Sequence, residues 1–521
     1  MVRLSFIVSS EHSESTILVR CAAVKLRDEV TRNGPEGSLN SGQPTIVIVG
    51  AGVSGICMAI QLKRAGYRSV TILEKSNDFG GTWLENRYPG CGCDVPAMLY
   101  SFSFALKSNW SRLYALQPEL LEYFKETAHR YDLPSITRFG ETVDQARFDE
   151  ATGLWNIQLE SGEALTANIF ISSVGQLNRP SIPNLPGADQ FEGQQFHSAR
   201  WNHDFDFQDK KVAVIGNGAS AIQLIPEISK QTRQTYIFQR SANYIAPRND
   251  HTYSGLKTAC FRWIPGYARL YRSYLFWRHE YRIKLYRRNS VLNKNFRHWL
   301  LKKMRERTPK KLWRTVIPKY PAGCKRVLLS DDYLQCLRQE NVEIIDHGVT
   351  SLTSDGVVAG EENYPVDAIV YATGFKSTEF LSPMEVIGRN GLDINTAWQA
   401  RPKTWYGVMA HGFPNFFMLY GPNTNLGHNS IIFMIECQVK LIMNSLKIMQ
   451  KQHVSTIEVT ESAVEEFDKK LQSDLDKFIW NEDCGNWYTN QTGNIVNNWS
   501  GAPTRYWWET RSVNQKSFEL K

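Results

Sequence analysis

Cysteine is scarce in this chain: nine residues in 521, at positions 21, 57, 91, 93, 260, 324, 336, 437 and 484. So thin and odd-numbered a set does not make the disulfide framework of a small secreted fold, and a reducing, cytoplasmic setting is expected. The close pair Cys91 and Cys93 lacks the two-residue gap of common zinc sites and has no second pair at ligand spacing, so no metal is expected. Long apolar runs are missing too. Met1 to Val8 offers only Leu4 to Val8, shorter than the roughly 7–15-residue core of a signal peptide. The uncharged stretch 37–62 begins with polar residues and carries Gly50, Gly52 and Gly55, which argues against a bilayer span. No G-x-S-x-G nucleophile elbow and no H-E-x-x-H helix occurs, which removes the usual hydrolase and zinc-peptidase readings.

What is present is ordinary globular composition, 42% hydrophobic and 21% charged, in a chain long enough for two or three domains. The net charge of +8 is unevenly spread: Lys257 to Lys319 holds 19 Lys or Arg against Glu280 and Glu306. In that stretch Trp263, Tyr267, Leu270, Tyr274, Trp277 and Tyr281 recur at helical spacing, which predicts a helical insertion. Two readings are open for it. Either the aromatics pack on the body of the protein while Arg and Lys snorkel to water, or the stretch makes weak contact with a membrane surface. No nucleic-acid partner is expected.

The residues before Thr45 end in the Gly/Ser/Asn/Pro-rich run Asn33 to Pro44 and are expected to be a disordered leader, 1–43. Thr45 to Val49 is then a β-branched strand, followed by a glycine turn, a helix through Ala65 and a strand at Ser69 to Leu73. The plan recurs with a strand at Val212 to Ile215, a turn at Gly216 to Ala221, a helix at Ile222 to Ser229 and a strand at Thr235 to Phe238. Strands at Asn168 to Ser172 and Ala368 to Tyr371 run into Gly175 and Gly374. The fold class expected is α/β, with two Rossmann-like dinucleotide-binding domains and the helical insertion, about 255–318, in the second. The expected division is 44–178 for the first part of the first domain, 179–378 for the second domain and 379–521 for the remainder of the first.

The first glycine motif, Gly50-Ala51-Gly52-Val53-Ser54-Gly55, follows a strand and opens a helix whose N-terminus favours a pyrophosphate. Glu74 closes the next strand, placed for a ribose 2′-hydroxyl, and its charge rejects a 2′-phosphate; this site reads as FAD or NAD. The second motif, Gly216-Asn217-Gly218-Ala219-Ser220-Ala221, has Gln239-Arg240 at the corresponding strand end. An arginine there suits a 2′-phosphate, so this site reads as NADPH. One chain carrying both is expected to pass hydride from NADPH to FAD. A disulfide reductase would need a redox cysteine pair by the flavin, and C-x-C is poor spacing for one.

Two further segments carry a resemblance. Gly80-Gly81-Thr82-Trp83-Leu84-Glu85-Asn86-Arg87-Tyr88-Pro89-Gly90-Cys91-Gly92-Cys93-Asp94 fits [A/G]GxWxxxx[F/Y]P[G/M]xxxD, a fingerprint of Baeyer–Villiger monooxygenases, the class B flavin-containing monooxygenases. Phe191 to Trp201 resembles their FxGxxxHxxxW motif, with Asn202 where Pro or Asp usually follows. Trp201 points to the Baeyer–Villiger type over relatives that oxidise heteroatoms. The resemblance runs from about 44 to 510 and includes Tyr371-Ala372-Thr373-Gly374-Phe375, Tyr420-Gly421-Pro422-Asn423 and Tyr320-Pro321-Ala322-Gly323-Cys324-Lys325-Arg326.

The resemblance implies that Arg326 is catalytic and Asp94 orients it. It further implies that Lys325 and Arg240 hold the NADPH 2′-phosphate, that Trp83, Tyr100 and the Val143 backbone line the FAD, and that Trp487 is a mobile-loop residue touching NADP. Thr82, Gln239, Ser220 and Ala221 belong to the cofactor-binding set by position. His197 is read as conformational, timing domain motion from a backbone hydrogen bond, with a proton shuttle as the alternative. The implied reaction consumes O2 and a small-molecule ketone and gives an ester or lactone through a C4a-peroxyflavin, in a setting such as secondary metabolism. Oxidation of nitrogen or sulfur, uncoupled NADPH oxidation, and a binding protein with a structural flavin are the alternatives.

Overall fold

Strands that are apolar on both faces can only sit between two layers of helix, and both glycine motifs follow such strands. In the computed structural model, which describes residues 43–399, 401–482, 484–490 and 492–521, Ile46–Val49 is buried along its whole length and Lys211–Ile215 along all but its first residue. Apart from Gln43, the expected leader lies outside the described residues. Residues 44–521 form one compact unit.

Two five-stranded parallel sheets organise this unit. In the first, the order is Phe416–Met418, Ile169–Ser172, Ile46–Val49, Val70–Glu74 and Thr137–Phe139. In the second it is Val342–Ile345, Gln234–Phe238, Lys211–Ile215, Ala368–Tyr371 and Gln194–His197. The glycine-motif strand lies third in each, flanked on both sides, so each motif opens at the middle of a sheet's carboxyl edge. The α/β class and the two dinucleotide-type units read from the sequence are therefore present. The second glycine helix, Ala219–Ile228, begins three residues earlier than expected, because Ala219 already takes helical geometry after Gly218.

The basic stretch is helical, with Gly255–Trp263, Tyr267–Glu280 and Val291–Arg307 as its main helices. The expectation that its aromatic stripe packs on the body is corrected. Trp263, Leu270, Tyr274, Trp277 and Tyr281 are exposed, and Tyr267 alone of the six is partly covered. The packing face of the middle helix is instead Tyr271, Leu275, Phe276 and His279. Both faces of this helix carry large side chains at helical spacing, so periodicity alone did not distinguish them.

Candidate active site

The first glycine turn is shaped by close approach. Gly50 takes φ +102°, and a Cβ on Gly55 would lie 1.9 Å from the Gly50 carbonyl oxygen, so helix Val53–Arg64 reaches its strand only with glycine there. Gly52 and Gly218 start their helices without a side-chain cap, whereas Ser254, Ser290 and Thr460 cap theirs. The first-turn N–H groups of the two glycine helices are thus left for an acceptor such as a pyrophosphate. Glu74 accepts the Ala51 N–H at 2.6 Å on one carboxylate oxygen and the Ser76 N–H at 2.8 Å on the other. A carboxylate offers about four lone-pair directions, so acceptor capacity remains for ribose hydroxyls.

The fingerprint loop wraps the same edge. Gly81 Cα comes within 3.5 Å of where a Gly52 Cβ would be. Thr82 opens a short helix, Thr82–Glu85, and Trp83 behind it is buried, its indole N–H donating to the Tyr100 hydroxyl at 3.3 Å. Val143 begins the strand Val143–Asp149, reached through Glu141, whose N–H donates to the Glu74 carbonyl. Cys91 and Cys93 are separate buried thiols, and burial raises the pKa of both.

At the second motif Gly216 takes φ +110°, and a Cβ on Gly218 would meet nothing within 4 Å, which leaves an open cradle above the helix N-terminus. Ser220 is half-buried on that first turn and Ala221 is fully buried against the sheet. Gln239 is buried and already engaged: its side-chain oxygen accepts from Asn217 at 2.7 Å and its amide donates to the Thr315 carbonyl at 2.9 Å. Through Asn217 it braces the glycine turn. Arg240 is exposed beside Lys325, which donates to Ser241 Oγ at 2.8 Å. Burial and then the charge of Arg240 hold the Lys325 pKa below its ordinary value.

Arg326 and Asp94 meet across the two halves. Asp94 Oδ2 accepts from Nη2 at 2.7 Å and from Nε at 3.1 Å, while Nη1 donates to the Leu426 carbonyl at 3.4 Å. Burial alone would raise the Asp94 pKa; the charge and hydrogen bonds of Arg326, with help from Arg248, reverse this and hold the carboxyl below its ordinary value. The charge of Asp94, first among several causes, holds Arg326 above its ordinary value. The result is a permanent ion pair at working pH.

Several groups around this pair were not legible in the sequence. Tyr488, Tyr286 and Tyr420 are close enough for their pKa values to respond to Arg326. His428 is buried with neither ring nitrogen hydrogen-bonded, and burial, then His279, Arg282 and Arg326, push its pKa down to about 3. Gln223, on the second glycine helix, accepts from the Tyr88 hydroxyl at 2.9 Å and from the Gly92 N–H at 3.3 Å and donates back to the Gly92 carbonyl at 3.0 Å. It clamps the loop bearing Asp94 to the second sheet's helix. Tyr420 stands in the Tyr420-Gly421-Pro422-Asn423 segment of the resemblance; the others stand in no spacing that sequence alone can interpret.

Against the expectation of a reducing setting, Cys324 and Cys484 form a disulfide with Cα atoms 6.4 Å apart. The partners are 160 positions apart, so only the tertiary fold brings them together. The bond ties the segment of Trp487 to the loop of Lys325 and Arg326. Trp487 itself is half-buried, its carbonyl accepting from Asn497 at 3.0 Å and Ser377 at 3.4 Å.

His197 ends the edge strand Gln194–His197 and is buried, its Nδ1 accepting from the Ala199 N–H at 3.1 Å. Burial is the main cause that lowers its pKa to about 4. Trp201 stacks on Phe207 at 5.4 Å within a cluster with Phe196. Asn202 Oδ1 accepts from the Asp204 N–H at 3.0 Å, the turn-forming bond an aspartate would also make.

Two glycine turns at sheet edges, one beside the carboxylate of Glu74 and one followed by the cations Arg240 and Lys325, together with an arginine held by a carboxylate, are the features of a flavin- and nicotinamide-dependent oxidoreductase. Comparison with known proteins places it further: the flavin-binding monooxygenase-like family matches residues 43–386, and the chain belongs to that family. It is 37% identical to an FAD-binding monooxygenase of Aspergillus niger over 93% of this chain and 83% of that one. It is 35% identical to a Baeyer–Villiger monooxygenase of Pseudomonas aeruginosa over 91% of each. The crystal structure of OTEMO with FAD and NADP superposes with a TM-score of 0.83 at 28% identity, covering 92% of this chain and all of that one. FAD and NADPH, expected from the two motifs, agree with the family and with that complex.

Proposed function

We propose that the protein is a Baeyer–Villiger monooxygenase that inserts one oxygen atom of O2 next to the carbonyl of a small-molecule ketone, giving an ester or lactone with NADP+ and water. The observation that carries the reading is the Arg326–Asp94 pair, a fixed cation joining the fingerprint loop that ends at Asp94 to the loop that carries Lys325. Gly50, Gly52 and Gly55 hold the FAD pyrophosphate, Glu74 its ribose, and Trp83, Tyr100 and Val143 line the flavin. Gly216, Gly218 and Ser220 hold the NADPH pyrophosphate, and Arg240 and Lys325 hold its 2′-phosphate. Trp487 closes over NADP, while His197 and Trp201 join the two halves as a hinge. The division at 178 and 378 follows from the same assignment. FAD, when bound and reduced by NADPH, supplies oxygen activated at its C4a carbon.

Arg326 then acts on the substrate. Two of its donors are pinned by Asp94, which leaves Nη1, with only the long bond to Leu426, to meet negative charge developing on the ketone oxygen. Because the guanidinium keeps its proton, it stabilises that charge by hydrogen bonding without transferring a proton to it, and its orientation is set before the reaction. The cytoplasmic location expected from the sequence rests on the NADPH requirement alone, because the Cys324–Cys484 bond removes the argument from the sparse cysteines.

The test is turnover of the holoenzyme with NADPH under labelled O2 against panels of ketones, thioethers and amines. One labelled oxygen in an ester is the expected product. Sulfoxides or N-oxides alone, or hydrogen peroxide equal to NADPH consumed whatever is added, would replace the reading. Arg326→Ala is expected to keep its FAD absorbance and lose ester formation by about 10²–10³-fold.

A further inference from the structure

Of the 13 large hydrophobic side chains exposed among the described residues, ten lie between positions 256 and 299, in the helical insertion. On helix Tyr267–Glu280 and the residue after it, Leu270, Tyr274, Trp277 and Tyr281 follow at steps of four, three and four, which places them on one face. They are 69%, 57%, 51% and 65% exposed. Leu256 and Trp263 on the preceding helix and Val291, Leu292 and Trp299 on the following one are exposed as well. Single exposed apolar residues need no explanation, but a concentration of this kind on three successive helices does.

The cations around these side chains are equally one-sided. Arg262, Arg269, Lys284, Arg287, Lys294 and Lys302 are exposed and have no carboxylate partner among the described residues. Arg262 lies 5.0 Å over the Trp263 ring and Lys284 4.7 Å over the Tyr281 ring, so charge and aromatic surface are interleaved. No helix among the described residues is long and apolar enough to cross a membrane.

We propose that this face of the helical insertion docks on an anionic lipid surface, with Leu, Trp and Tyr entering the interface and Arg and Lys meeting headgroup phosphates. The charge selects this occupant over the others. A second copy of the chain would bring 19 cations and two acids against the same set. Residues 1–42 carry five basic and five acidic residues and offer no complement. A bilayer with anionic headgroups satisfies both features at once: amphipathic rings and long basic side chains settle at the headgroup level, and each cation adds to binding. The opposite face of the same helix carries the site, since Phe276 packs on Phe433 at 4.8 Å and Glu280 accepts from Asn429, next to His428, at 3.1 Å. Docking therefore sets the reaction site one helix away from a phase in which apolar ketones dissolve.

The test is sedimentation of the full-chain holoenzyme with phosphatidylcholine vesicles, with and without about one-third phosphatidylserine. Pelleting is expected to be at least tenfold greater with the anionic vesicles at low salt and to fall as salt rises. The exposed triple variant Leu270→Ser, Tyr274→Ser, Trp277→Ser is expected to lose about tenfold of that binding while keeping flavin content, melting temperature and NADPH oxidation. Failure of the wild type to pellet at low salt, or undiminished pelleting of the triple variant, overturns the proposal. So does a dimer, seen without vesicles, that the triple variant abolishes, because the face would then belong to a second copy.

Discussion

Arg240 and Lys325 are neighbouring cations; burial first, and then the charge of Arg240, lower the Lys325 pKa, an arrangement that costs stability unless an anion is shared between them. A 2′-phosphate is such an anion, and NADH lacks it. Arg240→Ala is therefore expected to lower kcat/KM for NADPH by about 10–100-fold, the worth of one charge-assisted contact, and to leave NADH unchanged. An unaltered NADPH-to-NADH ratio would remove Arg240 from the cofactor site. The buried histidines give a second expectation. Folded His197 and His279 titrate at about 4 and His428 at about 3, with burial the main cause, against about 6.5 in the unfolded chain. Between those values the unfolded state binds more protons, so stability falls as pH drops from about 6.5 toward 4. Glu280 and Glu436, raised by burial, act in the opposite sense over their own range, because the folded state takes their protons first. His428→Asn is expected to recover about 2 kcal/mol of the stability lost between pH 7 and 5. Urea unfolding at the two pH values measures it, and an equal loss in variant and wild type would exclude His428 as a contributor.

At the scale of elements, the Cys324–Cys484 bond joins the loop before Arg326 to the segment that carries Trp487. Closing a loop of 160 residues is worth about 2–5 kcal/mol through the unfolded chain. Cys484→Ser is expected to lower the melting temperature and speed proteolysis within 484–495, and a wild-type digestion pattern would show that the bond holds nothing in place. This element was out of reach of the sequence, because no local pattern reports a pairing made by the tertiary fold. The central strands were legible for the opposite reason: a parallel strand buried on both faces must be a continuous β-branched run, and Ile46–Val49 is one. The glycine turns were legible because Gly55 has no tolerable substitute at 1.9 Å from the Gly50 oxygen. The insertion was legible as helix but not in orientation, since Tyr271 and Leu275 share the periodicity of Leu270 and Tyr274. In the site, Arg326 and Asp94 stood out through long motifs, whereas His428, Tyr488 and Gln223 take their place from loops and from a helix side that no spacing encodes.

Across the whole molecule, the proposed function requires the two sheets to work at a fixed distance, because hydride would pass from a nicotinamide on one to a flavin on the other. Gln223 is the clearest link between them: from the second glycine helix it makes three hydrogen bonds to Tyr88 and Gly92, in the loop that ends at Asp94. Gly90 lets the loop come that close, since a Cβ there would sit 2.5 Å from the Gln223 carbonyl oxygen and its φ is +78°. The side chain of Gln223 bonds only Tyr88 and Gly92 and no glycine of either cradle, so its removal should spare binding and impair geometry. Gln223→Ala is expected to keep its FAD and its affinity for NADPH but to slow anaerobic flavin reduction by about 10–100-fold, the penalty of displacing reacting groups by about an ångström. Stopped-flow reduction at saturating NADPH measures this. A wild-type rate would mean that the sheets hold their spacing without the clamp, through the wider interface that the shared hydrophobic core provides.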